Sequence, residues 1–243
     1  MANPVAWFEI MGGQPEQAAK FYSELFGWHT ETFPEAEYTT VDTHGGGGIN
    51  GGLGKSDDGG ATMKVYVLVD DLQATLDKAG TLGGTTVVPV TETPMVTFAQ
   101  FTDPAGNVVG LIPPPADPST ATGPSQGDGV PVDWFEILGP DPKALWSFYR
   151  DLFGWEIEEG GTEEFLYGEV HGEGIGGGIG STPDGQPHVN VYARVDDLQK
   201  YLERAESLGG KTVMPPMDMQ DISFAMLADP QGSTFGLWAS KES

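Results

Sequence analysis

The 243-residue chain contains no cysteine, only 11 lysines and arginines, and four histidines. Without cysteine it can form neither disulfides nor thiolate metal sites, and we expect a reducing, cytoplasmic location. No apolar run approaches the roughly 20 residues of a membrane-spanning helix, so no membrane partner is expected. Against 36 acidic residues the few basic ones leave a formal net charge of −25. Such a charge repels nucleic acid and favours solubility, and it would also attract a cationic ligand.

Two copies of one sequence pattern follow each other along the chain. The segment that starts at Trp7, with the Phe-Tyr and Leu-Phe-Gly-Trp motifs after it, recurs from Trp134 at unchanged internal spacing. Further on, Val-Asp-Asp-Leu at 69–72 and Asp-Pro at 103–104 recur at 195–198 and 229–230, each one position earlier than that spacing requires. A repeat of this length predicts two copies of one domain. The drift of one residue predicts a single loop deletion.

The segment between the copies is rich in proline, serine, threonine and glycine and has no hydrophobic periodicity. It predicts a first domain at 1–115, an interdomain linker at 116–129 and a second domain at 130–243. We expect each domain to have its own core, and the linker to be the preferred site of proteolysis.

Within each copy, a pattern of one strand, one helix and about three strands occurs twice. Apolar residues at helical spacing, such as Phe21, Tyr22 and Leu25, predict the helices, and β-rich segments between glycine turns predict the strands. The pattern favours an α+β fold. Two βαβββ modules per domain would curl eight strands around an open cleft, with the helices outside.

Four motifs stand in the same order in both copies. They are Phe-Tyr closing the first helix, Leu-Phe-Gly-Trp, Val-Asp-Asp-Leu opening the second helix, and Asp-Pro-x-Gly before the last strand. In these motifs the chain resembles the vicinal oxygen chelate superfamily of glyoxalase I, bleomycin-resistance proteins and extradiol dioxygenases. It looks closest to the two-domain actinobacterial glyoxalase-like proteins often labelled hydroxylases. The resemblance implies tandem glyoxalase-like domains, each an eight-stranded open cup. Such cups serve both enzymes and passive binding proteins, so the chemistry stays open.

The resemblance also implies where the metal ligands of the family's enzymes would fall. These positions hold Trp7, Lys64 and Gly110 in the first copy, and Trp134, Asn190 and Gly236 in the second. They do not supply the imidazole and carboxylate donors of such a site. We therefore expect no metal at the family's position and no cofactor.

Because side chains alternate across a strand, alternate residues of the predicted strands should line each cleft. In the first copy these residues are Trp7, Glu9, Lys64, Tyr66, Phe98 and Gln100. In the second copy they are Trp134, Glu136, His188, Asn190, Tyr192, Phe224, Met226 and Trp238. The mainly aromatic lining suits a flat organic ligand, and an indole beside a carboxylate could stack on a ring and pair with an amine. The same residues would also suit an ordinary core.

Three residues are candidates for catalysis, namely His188, Glu136 and Glu9. His188 is the one histidine near a family ligand position, and a general-base role would need a partner such as Glu136 within hydrogen-bond reach. His44 and His171 stand at glycine turns with the same spacing as the opening motifs of the two copies, and we interpret both as turn residues.

The leading hypothesis is metal-independent binding of a small aromatic or hydrophobic compound in one or both clefts. The compound could be cationic, and the role would be drug resistance or an accessory step in biosynthesis, by a monomer or homodimer. The alternative is an enzyme of the same superfamily, of the lyase, hydroxylase or dioxygenase type, acting on a small organic substrate. A third hypothesis is that one copy has become purely structural.

Overall fold

The computed structural model describes residues 3–56, 58–116, 123–162, 164–182, 184–219 and 221–241. Residues 117–122, within the predicted linker, lie outside this range. Among the described residues, no helix is both long enough and apolar enough to cross a membrane.

The described part of the first half contains eight strands and two α-helices, besides one short 3-10 helix at Pro34–Ala36. The strands are β1 (Val5–Gly12), β2 (His29–Phe33), β3 (Tyr38–Asp42), β4 (Asn50–Lys55), β5 (Thr62–Leu68), β6 (Thr85–Glu92), β7 (Thr97–Thr102) and β8 (Val108–Ile112). The helices are α1 (Pro15–Phe26) and α2 (Leu72–Thr81).

The described part of the second half repeats this order. The strands are β9 (Val132–Gly139), β10 (Glu156–Gly161), β11 (Leu166–His171), β12 (Gly176–Ser181), β13 (His188–Arg194), β14 (Lys211–Met219), β15 (Ile222–Ala228) and β16 (Thr234–Ser240). The helices are α3 (Pro142–Phe153) and α4 (Leu198–Ser207).

Each half contributes one open eight-stranded sheet. The strand order is β2-β3-β4-β1-β5-β8-β7-β6 in the first sheet and β10-β11-β12-β9-β13-β16-β15-β14 in the second. Successive strands of each module pair antiparallel, whereas β1 runs parallel to β4, and β5 to β8. The predicted α+β fold of βαβββ modules in two open sheets is confirmed.

Local sequence accounts for the ends of the helices. Pro15 lies in the first turn of α1, and the helix ends at Gly27, whose φ of 73° is the left-handed conformation that glycine adopts without strain. Asp71 and Asp141 cap α2 and α3, where each carboxylate accepts a backbone N–H from the first turn.

The described residues form two compact units, and each unit combines one module from each half of the chain. One unit draws on residues 1–6, 64–122 and 134–189, and the other on residues 7–63, 123–133 and 190–243. The expectation that each half has a core of its own is therefore wrong. The predicted domain boundaries themselves stay a prediction.

The core of the unit that contains α1 and α4 shows how the halves combine. Tyr22 and Phe26 of α1 pack against Phe235 of β16, with ring centroids 5.5 Å and 5.4 Å apart. Trp28 lies 5.8 Å from the same Phe235 ring. An amphipathic helix must bury its apolar stripe, and here the stripe of a first-half helix is buried against a second-half strand.

The unit that contains α2 and α3 has the reciprocal arrangement. Phe148 and Phe153 of α3 pack against Phe101 of β7, at centroid distances of 6.0 Å and 6.3 Å. The helical periodicity of α3 therefore correctly indicates a buried face. It contains no information about which strand covers that face, because periodicity is a local property.

The cross-strand register corrects the predicted relation between the two copies. Tyr38 lies opposite Gly54 in the first sheet, and Tyr167 lies opposite Gly180 in the second. Compared with the offset between Trp7 and Trp134, the offset between Tyr38 and Tyr167 is two residues longer. The offset between Gly54 and Gly180 is one residue shorter. The second copy thus has insertions before β11 and deletions between β11 and β12, so a single deletion is the wrong explanation.

The cross-strand register also shows that His44 and His171 are not equivalent positions of the two copies. His29 lies opposite Asp42, and Glu156 lies opposite His171. His171 therefore occupies the position of Asp42 rather than that of His44. In the two copies the imidazole and the carboxylate have exchanged strands.

Candidate functional site

Three of the six tryptophans are ordinary core residues. They are buried, and each indole N–H donates to a main-chain carbonyl: Trp28 to Val130, Trp146 to Ile179 and Trp155 to Asn3. Such an N–H needs a partner when the ring is buried, and the backbone supplies it. These tryptophans are explained by packing alone.

The other three tryptophans differ both in exposure and in the partner of the indole N–H. Trp7, Trp134 and Trp238 are partly exposed, and their indole N–H groups donate to the side chains of Tyr38, Tyr167 and Asp133. They are the three tryptophans that sequence alternation predicts on the cleft face. The indole rings are therefore held by side-chain hydrogen bonds on a face that remains accessible.

Neighbouring residues confirm which face of each sheet is concerned. Phe8 packs against Trp28, and Phe135 against Trp155, each at a centroid distance of 5.4 Å, on the helix side of the sheet. Because side chains alternate, Trp7 and Trp134 lie on the side away from the helices. Glu9 and Glu136 share that side, as predicted.

In the first repeat, Tyr38 lies between the indole and the carboxylate. The Trp7 Nε1–H donates to the Tyr38 hydroxyl at 3.1 Å. Burial raises the pKa of Tyr38 well above its usual range, and the negative charge of Glu9 raises it further. The phenol thus stays protonated beside Glu9, which is itself only 8% exposed.

The second repeat has the same arrangement. The Trp134 Nε1–H donates to the Tyr167 hydroxyl at 3.2 Å, and that hydroxyl donates to Glu136 Oε1 at 2.8 Å. Burial raises the pKa of Tyr167 well above its usual range, and the charge of Glu136 adds to the effect. The candidate site of each repeat is a tryptophan–tyrosine–glutamate cluster.

Glycines in the adjacent strand make room for the two phenols. A Cβ on Gly52 would lie 1.9 Å from the Tyr38 hydroxyl oxygen, and one on Gly178 would lie 1.9 Å from that of Tyr167. In register, these glycines stand opposite Glu9 and Glu136. The glycine-rich strands β4 and β12 therefore give each tyrosine space to lie across the strand and reach its glutamate.

The last strand of each half also carries a glycine covered by a tyrosine. A Cβ on Gly110 would lie 2.1 Å from Cδ1 of Tyr66, and one on Gly236 would lie 2.1 Å from Cδ1 of Tyr192. Both tyrosines are buried. These glycines stand at the positions where the resemblance to the superfamily places the metal-binding glutamate of its enzymes.

The residues around Gly110 and Gly236 do not form a binding site for the metal ion of the family's enzymes. The tyrosine rings occupy the space that a glutamate side chain would need at Gly110 and Gly236. Within the described ranges, no three histidine, aspartate or glutamate side chains converge as metal ligands would. The donor set of a hard or borderline divalent cation is thus not assembled at this position.

In β7 and β15, the predicted residues lie on the faces that strand alternation predicts. Ala99 and Phe101 are fully buried and Phe101 contacts α3, so Phe98 and Gln100 lie on the opposite face of β7. Gln100 Nε2 donates to the Tyr66 hydroxyl at 2.7 Å. In β15, Ala225 and Leu227 are fully buried, which likewise places Phe224 and Met226 on the other face.

Glu136 accepts a hydrogen bond from Tyr167. His188 lies half-buried at the start of β13, and its pairing with Glu136 stays a prediction. Asn190 is 1% exposed and accepts a hydrogen bond from Thr234 at 3.2 Å. Lys64 is half-buried on β5.

Sequence reasoning missed three members of the site. Tyr38 and Tyr167 escaped notice because their spacing does not match that of Trp7 and Trp134. Asp133 was missed because it lies on the edge of the repeated motif, where the first copy has Ala6. An alignment that allowed two gaps before β12 would have matched the tyrosines.

Comparison with known proteins supports the fold and the family. The family model described as a glyoxalase-like domain matches residues 10–112 and again 134–238. CFP32 of Mycobacterium tuberculosis, which has glyoxylase in its name, is 28% identical over 254 residues, covering 95% of this chain and 92% of the relative. The anthracycline biosynthesis protein DnrV of Streptomyces peucetius is 30% identical over 129 residues, covering 45% of this chain and 46% of DnrV.

Solved structures agree at the level of the fold. The Mn(II)-bound glyoxalase from Novosphingobium aromaticivorans superposes with a TM-score of 0.73 at 14% identity, over 99% of this chain and 83% of that one. The 2,2',3-trihydroxybiphenyl 1,2-dioxygenase from Sphingomonas wittichii has a TM-score of 0.68 at 15% identity, over 99% and 91%. With both repeats matched by the family model, the chain belongs to the glyoxalase-like domain family of the vicinal oxygen chelate superfamily.

Proposed function

We propose that the protein binds a small planar aromatic or hydrophobic compound, without a metal, on the tryptophan faces of one or both repeats. The observation that carries this proposal is the division of the tryptophans. Three are buried and satisfied by the backbone, while Trp7, Trp134 and Trp238 are partly exposed and held by side chains. A ring needed only for packing requires no such support.

The hydrogen-bonded clusters favour binding because they organise the indole before the ligand arrives. Tyr167 fixes the Trp134 ring, and Glu136 fixes the Tyr167 hydroxyl. A rigid aromatic surface loses little conformational entropy on binding, so more of the stacking free energy appears as affinity. Glu9 and Glu136 and the net charge of −25 would further favour a ligand with an amine.

The names of the relatives suggest the ligand class. DnrV, and DauV of Streptomyces sp. strain C5 at 26% identity over 98% of this chain, are named anthracycline biosynthesis proteins. We propose a polycyclic aromatic ligand and an accessory biosynthetic or resistance role. We further propose a cytoplasmic protein, monomeric or homodimeric, that has no nucleic-acid or membrane partner.

Fluorescence titration tests the proposal. Daunorubicin, which carries an amine, and its neutral aglycone should both quench tryptophan emission, with up to two sites per chain and tighter binding of the amine. Trp7→Ala and Trp134→Ala should each cost about 1–3 kcal/mol at the affected site. Tyr201→Ala, which removes a half-buried ring from α4, is the matched control and should leave affinity unchanged.

Two outcomes would contradict the proposal. Unchanged affinity in the Trp7→Ala, Trp134→Ala double variant would exclude the tryptophan faces as the binding surface. Stoichiometric divalent metal in protein purified without chelator, together with loss of binding on its removal, would exclude the metal-independent mode.

The Tyr167–Glu136 pair favours one second candidate, an enzyme of the lyase, hydroxylase or dioxygenase type. A carboxylate held at 2.8 Å from a phenol is a positioned acceptor for a proton from a bound substrate. In that case the bound compound would be converted. Glu136→Gln would abolish turnover while quenching of Trp134 by the compound persisted, and a pure binding protein would show no turnover to lose.

A further inference from the structure

The second repeat carries a charged group that the first repeat lacks. Arg194 of β13 lies opposite Trp238 of β16, and Asp133 forms an ion pair with Arg194 and accepts a hydrogen bond from Trp238. The register of β5 with β8 places Leu68 opposite Ile112 at the equivalent position of the first sheet. The counterpart of Asp133 is Ala6. One repeat thus has an ion pair and a tryptophan where the other has three apolar residues.

This group lies on the same side of its sheet as the proposed binding surface. Phe235 and Leu237 are fully buried, and Phe235 packs against Tyr22 of α1. Alternation therefore places Trp238 on the face away from the helices, and its register partners Arg194 and Phe224 share that face.

An ion pair holds the arginine but leaves N–H donors on it. Arg194 Nε lies 3.2 Å from Asp133 Oδ2, and Asp133 Oδ1 accepts a hydrogen bond from Trp238 Nε1 at 2.8 Å. The guanidinium carbon lies 5.8 Å from the centre of the Trp238 ring. Among the described residues, Nη1 and Nη2 of Arg194 have no protein partner, and its side chain is 53% exposed.

Building on the proposed function, we propose that the second repeat selects an aromatic carboxylic acid at Trp238, whereas the preference for an amine belongs to the Glu9 and Glu136 clusters at Trp7 and Trp134. The ring of the acid would contact Trp238, and its carboxylate would accept hydrogen bonds from the Nη groups of Arg194. A guanidinium presents two parallel N–H donors that match the two oxygens of a carboxylate. The first repeat, with Leu68 and Ile112 at these positions, has no such preference.

Asp133 makes this preference directional rather than purely electrostatic. Its carboxylate offsets the charge of Arg194, and the acidic protein as a whole repels anions. The N–H donors of Arg194, which the ion pair with Asp133 holds in place, must therefore carry the selection. Because Arg194 is half-exposed, solvent weakens the effect, and we expect a three- to tenfold preference for acid over amide, roughly.

Paired ligands and indole NMR test the inference. In ¹⁵N-labelled protein, with each indole signal assigned by Trp→Phe replacement, 1-naphthoate and the isosteric neutral 1-naphthamide are titrated separately. The Trp238 signal should move with both compounds, at lower concentration for the acid. Arg194→Gln should remove the preference, and Arg194→Lys should restore only part of it, because a lysine lacks the paired donors.

Lys20→Gln is the matched control, since it removes one positive charge from a side chain that is 77% exposed on α1. It should leave the acid preference intact. Equal binding of acid and amide, or a preference that survives Arg194→Gln, would overturn the inference while the proposed function stands. Failure of both compounds to shift any of the Trp7, Trp134 and Trp238 signals would reject both.

Discussion

The hydroxyl of Tyr149 donates a hydrogen bond of 2.9 Å to Oδ2 of Asp103, a residue from the other half of the chain. Tyr22 and Asp229 repeat the pair at 3.3 Å. In both, the carboxylate also accepts backbone N–H groups of its own Asp-Pro turn. The pairs therefore join the first helix of each half to the last hairpin of the other.

Loss of the Tyr149 hydroxyl should destabilise the protein more than loss of the Tyr22 hydroxyl. Tyr149→Phe leaves a buried carboxylate one donor short and should reduce the free energy of unfolding by about 1.5–3 kcal/mol. Tyr22→Phe breaks a longer bond and should cost less, nearer about 1 kcal/mol. Urea denaturation of both variants measures the difference. An equal or reversed order would show that bond length does not reflect the strength of these contacts.

Asp103 should make stability depend on pH in a defined direction. Burial raises its pKa above 3.8, although hydrogen bonds from Asn107 and Tyr149 oppose the shift. The folded state then holds the proton to a higher pH than the unfolded chain does. Its stabilising contribution is complete below pH 3.8 and is lost as pH rises through the raised pKa.

The variant Asp103→Asn isolates this effect because it cannot titrate. The unfolding free energy of the wild type minus that of the variant should fall as the pH rises from 3.8 towards neutrality. Urea denaturation at four pH values in this range would measure it, and the subtraction removes the general repulsion of a highly acidic chain. A difference that stayed flat, or rose with pH, would contradict the raised pKa.

The two halves should not fold independently. Residues 1–115 and 130–243, produced separately, would each expose a helix face that the other half buries, including the Phe235 surface that covers Tyr22. We expect each half alone to aggregate or self-associate, and the two to recover native circular dichroism when refolded together. A cooperatively folded monomer of either half would show that the compact units can be rearranged within one half.

A methyl group at Gly178 should disrupt the second tryptophan–tyrosine–glutamate cluster. Its Cβ would overlap the Tyr167 hydroxyl, so we expect Gly178→Ala to cost about 1–3 kcal/mol of stability and to weaken ligand quenching of Trp134. Gly80→Ala in α2 is the control, because nothing lies within 4 Å of its Cβ position. That change should stabilise by up to about 1 kcal/mol. Similar effects at both sites would refute the close approach at Gly178.

The fold was predictable wherever a local pattern was sufficient. The spacing of Phe21, Tyr22 and Leu25 correctly predicts a helix with one buried face, and strand alternation correctly separates Phe8 from Trp7. The partners of those faces were not predictable in the same way. Phe235, near the end of the chain, covers Tyr22 near its start, and no periodic signal connects residues so far apart in sequence.

Part of the candidate site could likewise be predicted from local patterns, and part could not. Trp7, Glu9, Trp134 and Glu136 follow from alternation within a strand, whereas Tyr38 and its counterpart come from another strand whose register depends on loop length. Insertions before β11 and deletions after it displaced the second tyrosine from the sequence repeat without moving it from the site.

The sequence by itself determined the repeated modules, the helices and strands, and the face on which Trp7, Trp134 and Trp238 lie. Only the tertiary structure decided which modules share a core, which tyrosine bonds to each glutamate, and that Asp133 joins Arg194 to Trp238. The physical reason is that the periods of helices and strands are set by local backbone geometry. Pairing between distant segments depends instead on loop lengths and on the packing free energy of the whole chain.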